Sequence, residues 1–153
     1  MGTSLRTVLF VCTGNTCRSP MAEGIARHLQ QAGRLPQDLF FASAGTSAFD
    51  GAPMSDETAA ILARLGVATD GTSKALTAAM VRKADLVFAM TQSHLGRARA
   101  LVGGDSRDAA KIQLLDPHGD IADPIGHGPQ AYEEVCARML RLIPERLEEM
   151  LTP

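Results

Sequence analysis

A chain of 153 residues with 45% hydrophobic and 21% charged residues has the composition of one globular domain rather than of a disordered segment. The 15 basic and 17 acidic residues leave a net charge of -2, and without a basic stripe or excess we expect no nucleic-acid partner. The apolar run at 8–11 is too short for a signal-peptide core or a membrane span, so no membrane association is expected either.

Strands and helices are predicted to alternate along the chain. Residues 8–11 form a β-branched and aromatic run typical of a buried strand, and Ser19-Pro20 begins a helix that stops before Gly33. Further strands are predicted at 39–44, 86–90 and 112–115, and further helices from 55, at 77–82, at 92–101 and at about 130–150. Pro144 should kink or interrupt the last helix, because it lacks a backbone donor.

This alternation predicts an α/β fold: a single domain over 1–153 whose four-stranded parallel sheet carries helices on both faces. The loop between the first strand and the first helix reads Cys12-Thr13-Gly14-Asn15-Thr16-Cys17-Arg18. Backbone N–H groups of such a loop, with a helix N-terminus behind them, form an anion site at the carboxyl end of the sheet. We therefore predict a phosphate loop between strand 1 and helix 1.

Two residues of this loop carry chemistry. Arg18 offers a planar guanidinium that binds phosphate oxygens in pairs, and Cys12 lies where a positive environment favours the thiolate, a good nucleophile. Taken alone, Cys12 would be interpreted as a buried core thiol, but its combination with Gly14, Asn15 and Arg18 favours catalysis. The nucleotide-binding motif GxxxxGK[ST] is absent, and Cys12 and Cys17 lack a second pair of ligands for zinc, so no metal site is predicted.

These residues resemble the low-molecular-weight protein tyrosine phosphatases, whose signature is a Cys, five residues, an Arg and a Ser near the N-terminus. The resemblance continues through the segments 43–46, 84–90 and 123–124, and so covers nearly the whole chain. It implies a cysteinyl-phosphate intermediate, loop N–H groups of residues 13–18 that bind phosphate, and no metal or cofactor. It further implies that Ser19 hydrogen-bonds the Cys12 sulfur and that Asn15 and Ser43 brace the loop.

The general acid comes from the resemblance as well. The chain has two Asp-Pro pairs in its late loop, Asp116-Pro117 and Asp123-Pro124, and either Asp could simply begin a turn. Composition does not separate them. The family places its acid in an Asp-Pro pair just before a Gly-rich stretch and a long helix, which corresponds to Asp123.

The sequence departs from the family at two positions. The family usually has a His that bonds the loop Asn, and the matching position is Gly71, so the brace is expected to use Thr72 or Ser73 instead. The residue after the Asp-Pro pair is usually aromatic, and here it is Ile125. Stacking on a phosphotyrosine ring is therefore expected to be weaker.

Thr16 bears on the substrate. Family members acting on phosphotyrosine commonly carry a bulky aliphatic residue there, whereas a branch acting on phosphoarginine carries Thr, which can form a hydrogen bond. We therefore predict a phosphorylated protein as substrate, with phosphoarginine slightly favoured over phosphotyrosine. The alternative interpretation is that Thr16 only tolerates the loop geometry.

The remaining cysteines and histidines receive simpler interpretations. By family resemblance Cys17 could form a protective disulfide with Cys12, which a linked peptide after mild peroxide treatment would identify, or it could be a packing thiol. Cys136 is predicted in the core. The histidines are scattered without ligand spacing and are predicted at the surface: His28, His94, His118 and His127. Three cysteines without an export signal favour reduced thiols and a cytoplasmic location.

Two rival functions share the same loop. Thioredoxin-coupled arsenate reductases resemble this chain in the loop but need further cysteines in the middle of the chain, and none occurs between Arg18 and Tyr132. A phosphate-binding module without turnover is the other alternative. The presence of both Cys12 and Asp123 argues against it.

Overall fold

The computed structural model describes residues 5–103 and 106–152, and one four-stranded parallel sheet lies at its centre. The strands run in the order β2-β1-β3-β4, with β1 at Arg6–Cys12, β2 at Leu39–Gly45, β3 at Leu86–Ala89 and β4 at Ile112–Leu114. The predicted α/β fold with a four-stranded parallel sheet is confirmed. The domain predicted over 1–153 also includes residues 1–4, 104, 105 and 153, which lie outside the described residues.

Six helices connect or follow the strands in the part of the chain that the structure describes. They are α1 (Arg18–Gln31), α2 (Asp56–Arg64), α3 (Ala78–Lys83), α4 (Gln92–Leu101), α5 (Ser106–Ala110) and α6 (Pro129–Leu151). Side-chain oxygens of Ser55, Thr77 and Thr91 accept backbone N–H groups at the starts of α2, α3 and α4. The sequence predictions did not include α5, whose five residues are too few for a periodic pattern to be recognised.

The two faces of the sheet bury separate apolar clusters. Strand residues that point to one face, such as Phe10 and Phe88, pack against α1 and α6. Those that point to the other, such as Leu9 and Val87, pack against α3 and α4. Because successive side chains of a strand alternate between faces, a strand buried on both faces is a continuous apolar run, as β1 is.

Helix α6 continues without interruption across Pro144. The predicted interruption is therefore wrong, although proline removes one backbone hydrogen bond within the helix. Side chains on both sides of Pro144, Ile143 and Leu147 among them, are buried against the sheet. In addition, Arg146 donates to the carbonyl oxygens of Leu114 and Leu115 at the end of β4. Tertiary contacts of this kind stabilise both halves of the helix and outweigh the lost bond.

The topology concentrates three loops at one edge of the sheet. The chain leaves β1 toward β2 on one side and later returns to β3 on the other side of β1. The carboxyl ends of β1, β3 and β4 therefore open onto one crevice, the place where open α/β sheets bind ligands. Among the described residues, no helix combines the length and the apolar character needed to cross a membrane.

Candidate active site

The phosphate loop, residues 12–18, connects β1 to α1 and turns its carbonyl oxygens outward. Three of these oxygens accept backbone N–H groups from outside the loop: Cys12 from Thr46 (2.9 Å), Thr13 from Ser47 (3.0 Å) and Thr16 from Ser55 (2.7 Å). Asn15 adopts a positive φ of 55°, which Asn tolerates better than most side chains, and this allows the tight turn. The alternation of outward carbonyls and a left-handed residue leaves the N–H groups to face the inside of the loop.

Within residues 5–103 and 106–152, none of the backbone N–H groups of residues 13–17 donates to a protein acceptor. The N-terminus of α1, which begins at Arg18, lies directly behind them and adds its partial positive charge. Loop N–H groups without a protein acceptor, with a helix N-terminus behind them, form a site suited to a phosphate group.

Cys12 lies at the end of β1 and is almost completely buried. Its sulfur shares a 2.9 Å hydrogen bond with the hydroxyl of Ser19. Because Asn15 Nδ2 donates to Ser19 Oγ at 2.8 Å, the Ser19 proton is left for another acceptor. The Cys12 sulfur is closer to Ser19 Oγ than the Ala44 carbonyl oxygen, at 3.4 Å, so a thiolate at Cys12 would receive this proton as a hydrogen bond.

Asn15 and Ser43 connect the loop to the neighbouring strand. Asn15 Nδ2 donates to Ser43 Oγ at 2.9 Å, and Ser43 Oγ donates to Glu23 Oε1 at 2.8 Å. The remaining Asn15 group, Oδ1, accepts the backbone N–H of Lys74 at 2.9 Å. The predicted positions of Asn15 and Ser43 are therefore found together behind the loop.

The brace does not use the Thr72 or Ser73 side chain, so that expectation is wrong. The Ser73 hydroxyl instead donates to the Phe49 carbonyl oxygen and accepts the Ala52 N–H. A backbone N–H, that of Lys74, takes the place of a side-chain donor, and this is possible because the 72–75 segment approaches the loop closely. A cavity of about 80 Å³ remains between Asn15, Ser43 and Gly71.

Gly45 allows this close approach at the end of β2. A Cβ atom there would collide with the Thr13 carbonyl oxygen and would lie 2.9 Å from the Asn15 backbone N. Replacing Gly45 with Ala should therefore displace the loop, lower kcat/KM by roughly tenfold and lower the free energy of unfolding by about 2 kcal/mol.

The control for this prediction is Gly71→Ala. A Cβ atom at Gly71 meets nothing within 4 Å and needs no positive φ, so this variant should keep wild-type kinetics. Steady-state kinetics and urea denaturation of both variants measure the difference. Equal kcat/KM values for the two variants would mean that Gly45 does not hold the loop in position.

Arg18 closes the loop from the first turn of α1. Its side chain is buried, and Nη1 donates to the Ile121 carbonyl oxygen at 2.8 Å. Its Nη2 lies 3.8 Å from Asp123 Oδ2. One face of the guanidinium is thus held by the late loop, and the cation lies between the phosphate loop and Asp123.

The two Asp-Pro pairs occupy different environments. Asp116 is nearly buried and accepts bonds from the His118 N–H (2.9 Å) and from Arg138 Nη2 (2.6 Å). Burial opposes its ionisation, but these two donors outweigh burial and hold the pKa of Asp116 below its usual value. Asp123 has a half-exposed side chain (46%) beside Arg18, with one oxygen bonded to the Ile125 N–H. Only Asp123 combines access to solvent with a place next to the phosphate loop.

Cys17 and Cys136 are both buried thiols. Cys136 lies on α6 and belongs to the core, as predicted. Burial raises the pKa of the Cys17 thiol to about 11, so it is protonated near neutral pH. A disulfide between Cys12 and Cys17 stays a prediction, and the protonated Cys17 thiol would react slowly because the thiolate is the attacking species.

The surface positions predicted for the histidines are correct for His118 and His127, which are exposed. His28 is half-buried, and its Nδ1 bonds the Leu65 carbonyl oxygen at 3.1 Å. For His94 the prediction is wrong, because its ring is buried in the first turn of α4 and contacts the phosphate loop. Its place in the first turn of the helix that follows β3 was the available signal, since the loops after the strands border the ligand crevice.

Phe49 is a further residue that the sequence predictions did not include. Its side chain is 89% exposed, in the segment that follows β2 and donates Thr46 and Ser47 N–H groups to the phosphate loop. Ile125, in the late loop beside Asp123, is 53% exposed. Large apolar side chains exposed at a phosphate site offer surfaces for the rest of a substrate. The signal for Phe49 was a lone aromatic residue in a polar and small-residue segment.

Low molecular weight phosphotyrosine protein phosphatases are described by a family model that matches residues 7–152, almost the whole chain. The chain belongs to this family. A low molecular weight protein-tyrosine-phosphatase of Streptomyces coelicolor is 35% identical over 142 residues, which cover 87% of this chain and 85% of the relative. A protein-arginine-phosphatase of Bacillus subtilis is 30% identical over 150 residues, covering 94% and 95% of the two chains.

A solved structure of an arginine phosphatase has the same fold as this chain. The YwlE arginine phosphatase, in a mutant with a phosphorylated active-site serine, superposes with a TM-score of 0.79 at 28% identity and covers 93% of this chain and 95% of its own. Family membership and fold together favour a phosphatase over an arsenate reductase or a module without turnover. Among the described residues no group of three His, Cys, Asp or Glu side chains could hold a metal ion.

Proposed function

We propose that this chain removes phosphate from phosphorylated proteins, with Cys12 as nucleophile, Arg18 as phosphate clamp and Asp123 as general acid and base. One observation carries the proposal: among the described residues, the N–H groups of residues 13–17 donate to no protein acceptor, in a loop that begins at the buried Cys12 and ends at the buried Arg18. Such a loop stabilises the charge of a phosphoryl group before and during transfer.

The first step transfers the phosphoryl group to the enzyme. The Cys12 thiolate attacks phosphorus and forms an S–P bond while the bond between phosphorus and the leaving atom breaks. Asp123 gives its proton to that atom, which departs neutral. The phosphorylated active-site serine of the YwlE mutant supports a covalent intermediate at this position of the loop.

The second step regenerates the enzyme. The Asp123 carboxylate takes a proton from water, the oxygen of that water attacks phosphorus, and the S–P bond breaks to release inorganic phosphate and the Cys12 thiolate. The Ser19 hydroxyl, 2.9 Å from the sulfur, stabilises the departing thiolate. Because the first step requires a reduced Cys12 that can attack as a thiolate, we place the protein in a reducing compartment, the cytoplasm. Alkylation of Cys12 in freshly lysed cells tests that location.

The substrate proposal depends on Thr16. Its side chain is half-buried, and its Oγ1 would lie 3.6 Å from a Cβ at Gly14, so the hydroxyl lies against the phosphate loop at Gly14. A hydroxyl there can bond a guanidinium, whereas an aliphatic side chain offers only an apolar wall. We therefore infer phosphoarginine as the favoured substrate and phosphotyrosine as the second.

Replacing Thr16 with Ile should shift the ratio of kcat/KM values from phosphoarginine toward phosphotyrosine peptides by about tenfold or more, because the hydrogen bond is lost and an apolar wall is gained. Side-by-side kinetics on two peptides of matched sequence measure the ratio. Thr152→Ile, at the exposed carboxyl end of α6, is the control and should keep the wild-type ratio. An unchanged ratio of kcat/KM values in Thr16→Ile would mean that Thr16 does not determine the choice between the two substrates.

The broader proposal is tested with p-nitrophenyl phosphate, a substrate that needs no recognition beyond the phosphate loop. The wild-type protein should hydrolyse it, with inorganic phosphate as a competitive inhibitor. No turnover by the reduced protein would overturn the proposed function.

A further inference from the structure

The side chain of His94 connects the phosphate loop to the end of β3. Its Nε2 lies 2.7 Å from Thr13 Oγ1, although 81 residues separate the two along the chain. Its Nδ1 lies 3.1 Å from the hydroxyl of Thr91, the N-cap of α4. The ring itself is only 4% exposed. Both ring nitrogens are therefore occupied, and the imidazole bridges an early loop and a late one.

Thr13, the loop residue that His94 contacts, has few other contacts that fix its side chain. Thr13 follows Cys12 directly and is exposed, so packing does not fix its position. Its carbonyl oxygen accepts the Ser47 N–H at 3.0 Å, and its hydroxyl bonds His94. Asn15 and its partners brace the middle of the loop, whereas the first peptide groups after the nucleophile depend on these two bonds and on the Thr46 N–H, which donates to the Cys12 carbonyl oxygen. A displacement of about 1 Å at such a position can lower a rate roughly a hundredfold.

The electrostatic surroundings keep the imidazole neutral. Burial and the nearby Arg18 guanidinium lower the pKa of His94 to about 4, with Arg97 acting in the same direction and Asp120 and Asp123 opposing it. A neutral imidazole has one donor and one acceptor nitrogen. Thr91 Oγ1 already accepts the His94 backbone N–H, so its own proton can go to Nδ1 while Nε2–H donates to Thr13. This arrangement satisfies every group and adds no second cation beside Arg18.

We propose that His94 is a positioning residue of the phosphate loop, which acts through the Thr13 hydroxyl to hold the first loop N–H groups and the Cys12 sulfur in line with the phosphoryl group. This inference rests on the proposed function, because it concerns the same loop. If His94 has this role, its contact with Thr13 stabilises the transition state of the reaction more than it stabilises the folded protein. Its loss should lower kcat more than it raises KM.

The test is a double-mutant cycle with p-nitrophenyl phosphate as substrate. Thr13→Val keeps the shape of an exposed side chain and removes the hydroxyl, whereas His94→Leu removes the ring nitrogens. Each should lower kcat/KM between about tenfold and about a hundredfold, mostly through kcat. The double variant should be no worse than the poorer single variant, because both remove the same bond. His94→Gln, whose amide nitrogen reaches near the place of Nε2, should recover most of the activity.

A structural role alone predicts a different outcome. In that case His94→Leu would lower the melting temperature, while Thr13→Val would keep wild-type kcat/KM, and that result overturns the proposal. Effects that multiply in the double variant overturn it too. If His94→Leu does not fold, Thr13→Val and His94→Gln decide the question by themselves. His28→Leu is the matched control, since it removes a histidine bond to Leu65 elsewhere in the fold and should keep wild-type kinetics.

The same experiment separates this proposal from the proposed function. A wild-type protein without turnover of p-nitrophenyl phosphate contradicts the phosphatase assignment itself. A wild-type protein with turnover, together with a fully active Thr13→Val variant, leaves that assignment intact and contradicts only the role of His94.

Discussion

Replacing Cys12 with Ser should lower the hydrolysis of p-nitrophenyl phosphate by more than about a thousandfold while phosphate binding persists. A serine hydroxyl is not ionised near neutral pH and is a far weaker nucleophile than a thiolate. The donors that bind phosphate, Arg18 and the N–H groups of residues 13–17, are unchanged by the substitution. Ser fits the buried site because Oγ is smaller than Sγ and can keep a bond to Ser19.

Steady-state kinetics measure the loss of turnover, and calorimetric titration with inorganic phosphate measures the retained binding. Cys136→Ser is the matched control, because it makes the same substitution at a buried cysteine of α6 that lies in the core. That variant should lose stability and keep its kcat/KM. Substantial turnover in Cys12→Ser, or a complete loss of phosphate binding, would contradict the assignment of Cys12 as a nucleophile next to an intact anion site.

Replacing Asp123 with Asn should lower kcat by about two to three orders of magnitude and change KM little. The amide keeps the shape of the side chain but cannot give a proton to the leaving atom or take one from water. The loss should grow as the leaving group becomes more basic, since a basic leaving group depends most on the acid. A series of aryl phosphates with leaving groups of increasing pKa measures this slope.

Asp116→Asn provides the contrast within the same late loop. The substitution removes a carboxylate that is nearly buried against Arg138, so we expect a loss of about 2 kcal/mol in the free energy of unfolding. Because Asp116 is engaged with Arg138 and the His118 N–H, its loss should leave kcat within about threefold of the wild type. A larger loss of kcat in Asp116→Asn than in Asp123→Asn would mean that Asp116, and not Asp123, is the general acid.

The secondary structure was largely predictable because residues that favour strands, or that begin and end helices, mark most of its elements. The strand at 39–44 and the helix at 92–101 agree with β2 and α4, since two phenylalanines lie in the strand and Thr91 caps the start of the helix. Of the two outcomes predicted for Pro144, a kink or an interruption of the last helix, the interruption was wrong for a specific reason. A local propensity describes an isolated segment, whereas Arg146 and the buried side chains around Pro144 are held by the sheet.

The residues of the site also differ in how far the sequence predicts them. Cys12 and Arg18 are recognisable from the sequence because a strand, a loop and a helix start follow one another along the chain. The choice between Asp116 and Asp123 could not be made from composition, since both precede a proline. Their environments differ in burial and in the arginine beside each carboxylate, Arg138 or Arg18, and these differences exist only in the folded chain.

The phosphate loop was therefore determined by the sequence alone, because its residues are contiguous and a loop of backbone N–H groups needs only local geometry. What braces that loop was decided by the tertiary structure. The Lys74 N–H on Asn15 and the His94 ring on Thr13 come from segments 59 and 81 residues away. No local pattern encodes such contacts, because they depend on how the parallel strands are ordered and on which loops that order brings to one edge of the sheet.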